Sequence, residues 1–479
     1  MRLLMARFYI TTSIVYTNAG PHIGFALELV QADAIARWRR MRGDEVFFVT
    51  GTDEHGTKIM RSAEAAGMPS GEFVDGIAAQ VGQLAERLNI SNTAFVRTSD
   101  RVHHWPAAQK IWAKLAENGD LYKKSYEGAY CVGHEAFIKP SELIDGLCPL
   151  HKTKPEMVRE ENWFFKMTRY VSRVRSLIES DELRIVPSTK KTELLNLLDD
   201  AEDVSFSRPS GQLPWGIPVP GDETQTMYVW ADALTNYLSA LGYGTDDANM
   251  KFWPAQIHLV GKDITRFHAM IWPAMLLSAG LEVPKAIYVH GFITVDGQKM
   301  SKSLGNVVDP FEVLEAWPAD VIRQFMLREL QSSEDGDFSL KNLANRYTSD
   351  LANGLGNLVQ RTTTLIAALP GGSVDPKADA PEVRAVLDDT AYDEAFRQFR
   401  LHDAVGVVWE RIGLANAYLN GSEPWKKGEK ERADILGVVA AMLLHIAELL
   451  RPIMPMTAEI VSRRIRSGEV GEPLFPRRA

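Results

Sequence analysis

Phe8-Tyr9-Ile10-Thr11-Thr12-Ser13-Ile14-Val15-Tyr16-Thr17-Asn18-Ala19-Gly20-Pro21-His22-Ile23-Gly24-Phe25 stands near the start of the chain, and its reading decides the fold. Phe8, Ile10, Ile14 and Val15 make residues 7–16 a β-prone, buried strand. The run from Thr17 to Pro21 breaks it. A helical pattern follows from Ile23 to about Arg42, with Leu27, Val30, Ala34 and Ala36 among its apolar positions, and Gly43 stands where a helix-ending glycine belongs. Glu45-Val46-Phe47-Phe48-Val49-Thr50 reads as a second strand. Strand, helix and strand at this spacing form a βαβ unit and hence a parallel sheet.

Outward from this unit, helices are expected at 57–67, 72–88 and 101–118. From 119 to about 226 the alternation gives way to short strands, a Cys/His cluster and a Gly/Pro-rich piece from Pro209 to Gly221, the pattern of an insertion. Parallel-sheet patterning resumes in Gln256-Ile257-His258-Leu259-Val260 and Ala286-Ile287-Tyr288-Val289-His290. After about Asn342 no strand pattern appears. Apolar residues recur at helical spacing through 343–366, 384–419, 431–450 and 454–465, which predicts an α-helical bundle. Leu369 to Pro381 is a loop between helices.

The 479 residues suffice for roughly two to four domains with sizeable cores. No apolar run reaches bilayer-spanning length, and the apolar part of Met1 to Tyr9 is too short for a secretory signal. No membrane partner is therefore expected, and the cytoplasm is the expected compartment. A net charge of -9 argues against a general polyanion binder, although RNA can be read through a local basic face and base stacking. Only two cysteines are present, which excludes a disulfide scaffold and raises a metal role instead.

Several residue sets carry chemistry. Lys299-Met300-Ser301-Lys302-Ser303 follows Gly297 and precedes Leu304-Gly305-Asn306. Two lysines flanking small hydroxyl residues suit a loop over a triphosphate, where the ammonium groups neutralise charge building on the phosphates. His22 sits at a helix start, where backbone N–H groups and the helix dipole favour phosphate. Taken singly, His22 is better explained as a helix-start histidine making local hydrogen bonds. A solvated basic loop is the commoner setting for a lysine pair, but it explains poorly why Gly297 precedes and Leu304-Gly305-Asn306 follow. Asp53, at the end of the second strand, can face an ammonium or serve as a turn or N-cap aspartate. Trp230, Ala233 and Tyr237 are spaced i, i+3 and i+7, so one helix would place them on one face, as it would plain core. Cys131-Val132-Gly133-His134 and Cys148-Pro149-Leu150-His151 form C-x2-H, thirteen residues, C-x2-H. Pairs spaced by two suit adjacent corners of a tetrahedral zinc site; buried thiols with surface histidines are the alternative.

The paired His22-Ile23-Gly24-Phe25 and lysine runs resemble the two signatures of class I aminoacyl-tRNA synthetases. The resemblance to methionyl-tRNA synthetases extends over nearly the whole chain, through Tyr16 to Gly24, Gly51-Thr52-Asp53-Glu54-His55-Gly56, Tyr228-Val229-Trp230-Ala231-Asp232-Ala233-Leu234, Gly261-Lys262-Asp263-Ile264 and Phe267-His268. It implies an α/β fold: a Rossmann-like doubly wound parallel sheet with an inserted zinc-knuckle connective domain, followed by an α-helical bundle that binds the anticodon. The implied division is 1–118 for the first half of the catalytic domain, 119–226 for the connective insertion and 227–298 for the second half. The lysine signature and stem-contact region takes 299–345, and the helical domain takes 346–479.

The resemblance also implies an activity. Methionine and ATP give methionyl-adenylate and pyrophosphate, with Mg²⁺ escorting the phosphates, and a terminal ribose hydroxyl of methionine tRNA then takes the methionyl group. Positioning and electrostatics supply the catalysis. His22, Lys299 and Lys302 are the implied catalytic residues. Gly24, Phe25, Gly261, Lys262, Asp263 and Ser301 complete the ATP site, and Arg208 resembles a family arginine near the phosphates. Ser13, Ile14, Tyr16, Asp53, Trp230, Ala233, Tyr237, Phe267 and His268 make the methionine site, whose aromatic walls suit a polarisable thioether. Asn357, Arg361 and Trp425 match anticodon-reading positions, supplying edge hydrogen bonds and a stacking plane. Cys131, His134, Cys148 and His151 would hold one structural zinc ion. With no further module after Ala479, a monomer is expected.

One departure stands out. The family's first signature usually ends in a second histidine, and Phe25 cannot donate to a phosphate or ribose oxygen. Losing one such donor corresponds to about 2–4 kcal/mol in the transition state. A synthetase for another amino acid, a tRNA-binding protein without adenylation activity and a small-metabolite nucleotidyltransferase are the rival readings. Methionine-dependent ATP–pyrophosphate exchange separates them.

Overall fold

The computed structural model describes residues 5–132, 136–138, 142–149, 152–295, 297–300, 306–331 and 334–478. The chain forms two compact units. The first comprises 1–21, 43–85 and 92–289; the second comprises 22–42, 86–91 and 290–479.

The first unit is built on the expected parallel sheet. Strand β1 (Arg7–Thr11) pairs parallel with β3 (Glu45–Asp53) on one side and with Ile257–Gly261 on the other. The sheet continues through Ala286–His290 to Arg184–Val186, while β4 (Ala94–Arg97) adds to β3. Tyr9, Ile10 and Thr11 are wholly buried, as expected of a strand covered on both faces. Chain order reverses across β1, so its carboxyl end is a switch point, the usual ligand position in open α/β sheets.

The structure refines the sequence reading of this region. Residues 7–16 are two pieces, because β2 (Val15–Tyr16) pairs only with the far end of β3. Two further parallel strands, β4 and Arg184–Val186, are only four and three residues long, too short to show periodicity. The second lies within the span read as an insertion. That span also forms a four-stranded antiparallel sheet around the long pair Leu121–Cys131 and Glu156–Phe165, and a small sheet of Ser207–Pro209, Pro218–Val219 and Asp222–Met227. The helix expected at 101–118 runs over Trp105–Glu117.

The second unit contains helix α1 (Ile23–Met41), ended at Arg42 just before Gly43 as anticipated. At its far end Trp38 stacks on Phe396 with centroids 5.1 Å apart, and Arg42 pairs with Asp389 and Asp393 at 2.7 and 2.8 Å. At mid-helix, Asp33 meets the fully buried Arg323 at 2.7 Å. Burial alone would raise the Asp33 carboxyl, but the Arg323 and Arg37 guanidiniums and the Ser91 hydrogen bonds hold it below the usual carboxylate range. Arg323 spends its other N–H groups on the carbonyls of Leu88, Pro452 and Ile453.

Among the described residues no strand follows Gly336–Phe338. The predicted helix 384–419 is three helices, Arg384–Leu387, Thr390–Arg397 and Leu401–Ser422, because Phe399 takes a positive φ of 57° between the last two. Glu429–Leu450 is long and apolar enough, by length and composition, to cross a membrane. Here its Leu436, Val439, Leu443, Ile446 and Leu450 are buried within the protein.

Candidate active site

The residues expected to form a methionine site all lie in the first unit. Asp53 closes β3, buried, opposite Tyr16. Its carbonyl accepts from Thr17 N–H and Oγ1–H at 2.9 and 3.0 Å. The following helix, Thr57–Ala65, has Gly56 at its N-cap, so Asp53 does not cap it. Ser13 and Ile14, both half-buried, occupy the gap between β1 and β2.

Trp230 and Ala233 lie on the short helix Val229–Ala233, and Tyr237 lies on a separate one, Asn236–Ser239. The expected single helix is therefore broken, yet an aromatic cluster still assembles. Trp230 stacks on Phe267 at 3.8 Å with 7° between the rings, and His268 stands edge-on to Trp230 at 6.0 Å. Phe267 and His268 belong to a π-helical turn, Phe267–Ile271, a form frequent at functional sites.

Hydrogen bonds orient these rings. His268 Nδ1 faces the Ile264 carbonyl at 3.0 Å. A carbonyl only accepts, so Nδ1 carries the proton and Nε2 accepts from the Tyr237 hydroxyl at 2.7 Å. Beneath them, His258 Nε2 accepts from Trp272 Nε1–H at 3.3 Å, leaving Nδ1 to donate to Thr11 Oγ1 at 2.8 Å. Burial, reinforced by neighbouring His268, pushes the His258 pKa well below the usual histidine range.

A buried chain that motif reading left without a role runs beside this cluster. The Asp232 carboxylate meets His55 Nδ1 and His104 Nε2, each at 2.7 Å, and His104 Nδ1 meets Ser239 Oγ at 2.9 Å. Burial would raise the Asp232 carboxyl, but the two histidines hold it below its ordinary value. His55 and Asp232 both sit in runs that carry the family resemblance; His104 and Ser239 gave no sequence signal because only the fold brings them there.

Also in the first unit, Gly261 ends its strand and Lys262 and Asp263 form the turn beyond it, with Thr265 Oγ1 donating to the Gly261 and Lys262 carbonyls. Arg208 is buried, with its guanidinium 4.6 Å from the Tyr228 ring and donating to Ser205 Oγ and the Ser207 carbonyl. Cys131 and Cys148 share a small buried cluster with Ile138. His134 and His151 lie outside the described residues. Among the described residues no group of three or more His, Cys, Asp or Glu side chains could hold a metal.

The nucleotide signatures belong to the second unit. His22 caps α1: its Nδ1 accepts from Gly24 N–H at 3.1 Å. The proton of the neutral ring is thereby on Nε2, so capping and phosphate donation are compatible uses of one imidazole. A Cβ on Gly24 would lie 2.9 Å from that ring and 3.8 Å from Met300 Cε. Ile23 N–H donates to the Val308 carbonyl at 3.3 Å. The start of α1 thus sits against Met300, within the lysine signature, and Val308, beyond it. Phe25, at the departing position, is buried.

Lys299 ends a hairpin, Ile293–Val295 with Gln298–Lys299, in which Thr294 pairs with Lys299. Asp337 Oδ1 accepts from Thr294 Oγ1–H at 2.8 Å and Gly297 N–H at 2.7 Å, clamping the hairpin. Ser301 and Lys302 lie outside the described residues. In the helical part, Asn357 and Arg361 share helix Asn357–Ala367. Arg361 lies 5.6 Å from the Trp425 ring and donates to Asn420 Oδ1 at 2.8 Å. Trp425 occupies a single 3₁₀ turn, Pro424–Lys426.

A parallel sheet with an aromatic pocket in one unit, and a capped histidine helix abutting a lysine-bearing hairpin in the other, define a class I aminoacyl-tRNA synthetase. Comparison with known proteins narrows the class. The family described as tRNA synthetases class I (M) matches residues 8–153 and 135–363, and the chain belongs to it. The chain is 41% identical over 475 residues to the methionine–tRNA ligase of Thermotoga maritima, covering 96% of this chain and 75% of that protein. It is 42% identical over 468 residues to that of Brucella suis, covering 95% and 90%. The structure of Mycobacterium tuberculosis methionyl-tRNA synthetase in complex with methionyl-adenylate superposes with a TM-score of 0.90 at 35% identity, over 99% of this chain and 100% of that one. Its apo form gives 0.84 at 31% identity, over 100% and 99%.

Proposed function

We propose that the chain is a methionine–tRNA ligase that activates L-methionine with ATP and transfers it to the 3′-terminal adenosine of methionine tRNA. The near-full-length similarity to methionine–tRNA ligases carries this reading. In the first step a methionine carboxylate oxygen bonds to the α-phosphorus, the bond to the β-phosphate breaks, and pyrophosphate leaves. In the second, a ribose hydroxyl of the terminal adenosine attacks the carbonyl carbon and AMP leaves.

Asp53 takes the ammonium of methionine. Ser13, Ile14, Tyr16, Trp230, Ala233, Tyr237, Phe267 and His268 enclose the side chain. A thioether is only a weak acceptor, so aromatic faces and edges, rather than strong donors, fit it. His22 donates from Nε2 to phosphate, and Lys299, Ser301 and Lys302 stabilise the charge that develops there. Gly24 lets the His22 ring lie over the helix start. Gly261, Lys262 and Asp263 contact the adenosine, and Phe25 contributes packing at the position where the family signature usually has its second histidine. Mg²⁺ would screen the triphosphate.

Cys131 and Cys148, already gathered in one buried cluster, would hold one structural zinc with His134 and His151. Asn357, Arg361 and Trp425 read the anticodon. On this reading the enzyme is cytoplasmic; among the described residues the helix Glu429–Leu450, apolar enough by composition to cross a membrane, is mostly buried within the protein. A monomeric enzyme is part of this reading.

The test is methionine-dependent ATP–pyrophosphate exchange, followed by charging of methionine tRNA. Exchange with a different amino acid, or tRNA binding without exchange, would overturn the assignment.

A further inference from the structure

Resting on that reading of the methionine site, we propose that Asp232, gripped by His55 and His104, is a positioning and specificity-determining residue. It sets the separation between the ammonium end and the thioether end of the pocket.

The argument is one of placement. His55 lies two residues past Asp53, Asp232 two residues past Trp230, and Ser239 two residues past Tyr237. Asp53, Trp230 and Tyr237 stand on three different segments of the first unit. The chain from His55 through Asp232 and His104 to Ser239 links all three with bonds of 2.7, 2.7 and 2.9 Å. Ser239 itself lies on Asn236–Ser239, the helix that bears Tyr237, so the link reaches that helix directly.

None of the four can relax into solvent: His55 is 2% exposed, Asp232 and His104 0%, and Ser239 6%. The His55 ring also packs in T-shaped contacts with Trp105 and Trp215, at 6.1 and 5.6 Å between centroids. Well-packed apolar side chains would stabilise such a site at least as well as a buried ionic group. What a doubly bonded carboxylate adds is a fixed distance between the segments it joins. A hydrophobic pocket separates homologues differing by one methylene only weakly, so its length must be held tightly.

The experiment uses the full chain in ATP–pyrophosphate exchange with methionine and with ethionine, which is longer by one methylene. For His55→Ala we expect the methionine KM to rise about tenfold and the methionine-over-ethionine preference in kcat/KM to fall at least about threefold, with kcat and the ATP KM within about twofold. His55→Asn, whose amide can donate from the position of Nδ1, rescues both. A folded His55→Ala with unchanged methionine KM and preference overturns the proposal, as does parallel loss in kcat and in both KM values. If His55→Ala does not fold, His55→Asn and His55→Gln decide. Only the shorter amide reaches the Nδ1 position, so Asn near wild type with Gln impaired supports the proposal, and equal behaviour overturns it. Wild-type protein that fails to exchange with methionine removes the functional reading itself. Wild-type exchange with indifferent variants removes only the ruler.

Discussion

The residues assigned to methionine and those assigned to phosphate and anticodon obey opposite rules. In the first unit, Tyr237 and His268 are 1% and 2% exposed and each is hydrogen-bonded to a defined partner. In the second, His22 and Asn357 are exposed and Trp425 is 43% exposed. A small, mostly apolar amino acid must find a preformed, dry cavity, because its own groups supply little orientation. A triphosphate or an unstacked base brings charge or a ring face with it and can cover exposed groups on arrival. Damage to the first region should therefore appear in methionine recognition, and damage to the second in ATP or tRNA parameters alone.

The most severe break is Trp230→Ala. It removes one face of the Trp230–Phe267 stack and opens the pocket to water. Methionine kcat/KM in pyrophosphate exchange should fall by about a hundredfold or more, since even one methylene in such a pocket is worth up to about that much. The ATP KM should stay put. A change confined to the ATP KM would show that the stack is not the methionine wall.

Next comes Gly24→Ala in the second unit. The new Cβ would stand 2.9 Å from the His22 ring, so the imidazole must swing off its cap. Exchange kcat should drop by between about tenfold and about a hundredfold, as expected for an approximately 1 Å misplacement of a catalytic group. Methionine binding, followed by tryptophan fluorescence, should be unchanged.

Tyr237→Phe probes the orientation of His268 while keeping the ring. It leaves Nε2 without the Tyr237 donor, at about 1–3 kcal/mol. Roughly a tenfold rise in methionine KM is expected, with a small fall in thermal stability read by calorimetry.

Much of this comparison was legible in the amino-acid order. The βαβ unit announced itself because buried parallel strands are continuously apolar and Gly43 marks the helix end. What escaped was set by length or by distance. Ala94–Arg97 and Arg184–Val186 are too short for a period to show, and the break between Ala233 and Asn236 hides behind uniformly helical spacing. Asp337 reads as one acidic residue among many until the parallel pairing of Ile293–Val295 with Gly336–Phe338 brings it under the hairpin that ends at Lys299. His104 and Ser239 likewise gain meaning only from partners more than a hundred residues away. Sequence patterns report what repeats locally, and these groups are defined by single long-range bonds.

The mildest test sharpens the exposed side. Arg361 faces the Trp425 ring at 5.6 Å and fixes its fork on Asn420 at 2.8 Å. Arg361→Lys keeps the charge but loses the planar fork and its stacking surface. A cation–π contact at an exposed site is worth about 0.5–1 kcal/mol, so the tRNA KM should rise only about two- to fivefold, while methionine-dependent exchange without tRNA stays at the wild-type rate. The two readouts separate if Arg361 acts through the Trp425 ring and Asn420 alone. An exchange rate that fell along with tRNA affinity would mean that this patch supports the adenylation chemistry as well, and the contrast between a buried, bonded pocket and an independently acting exposed surface would fail.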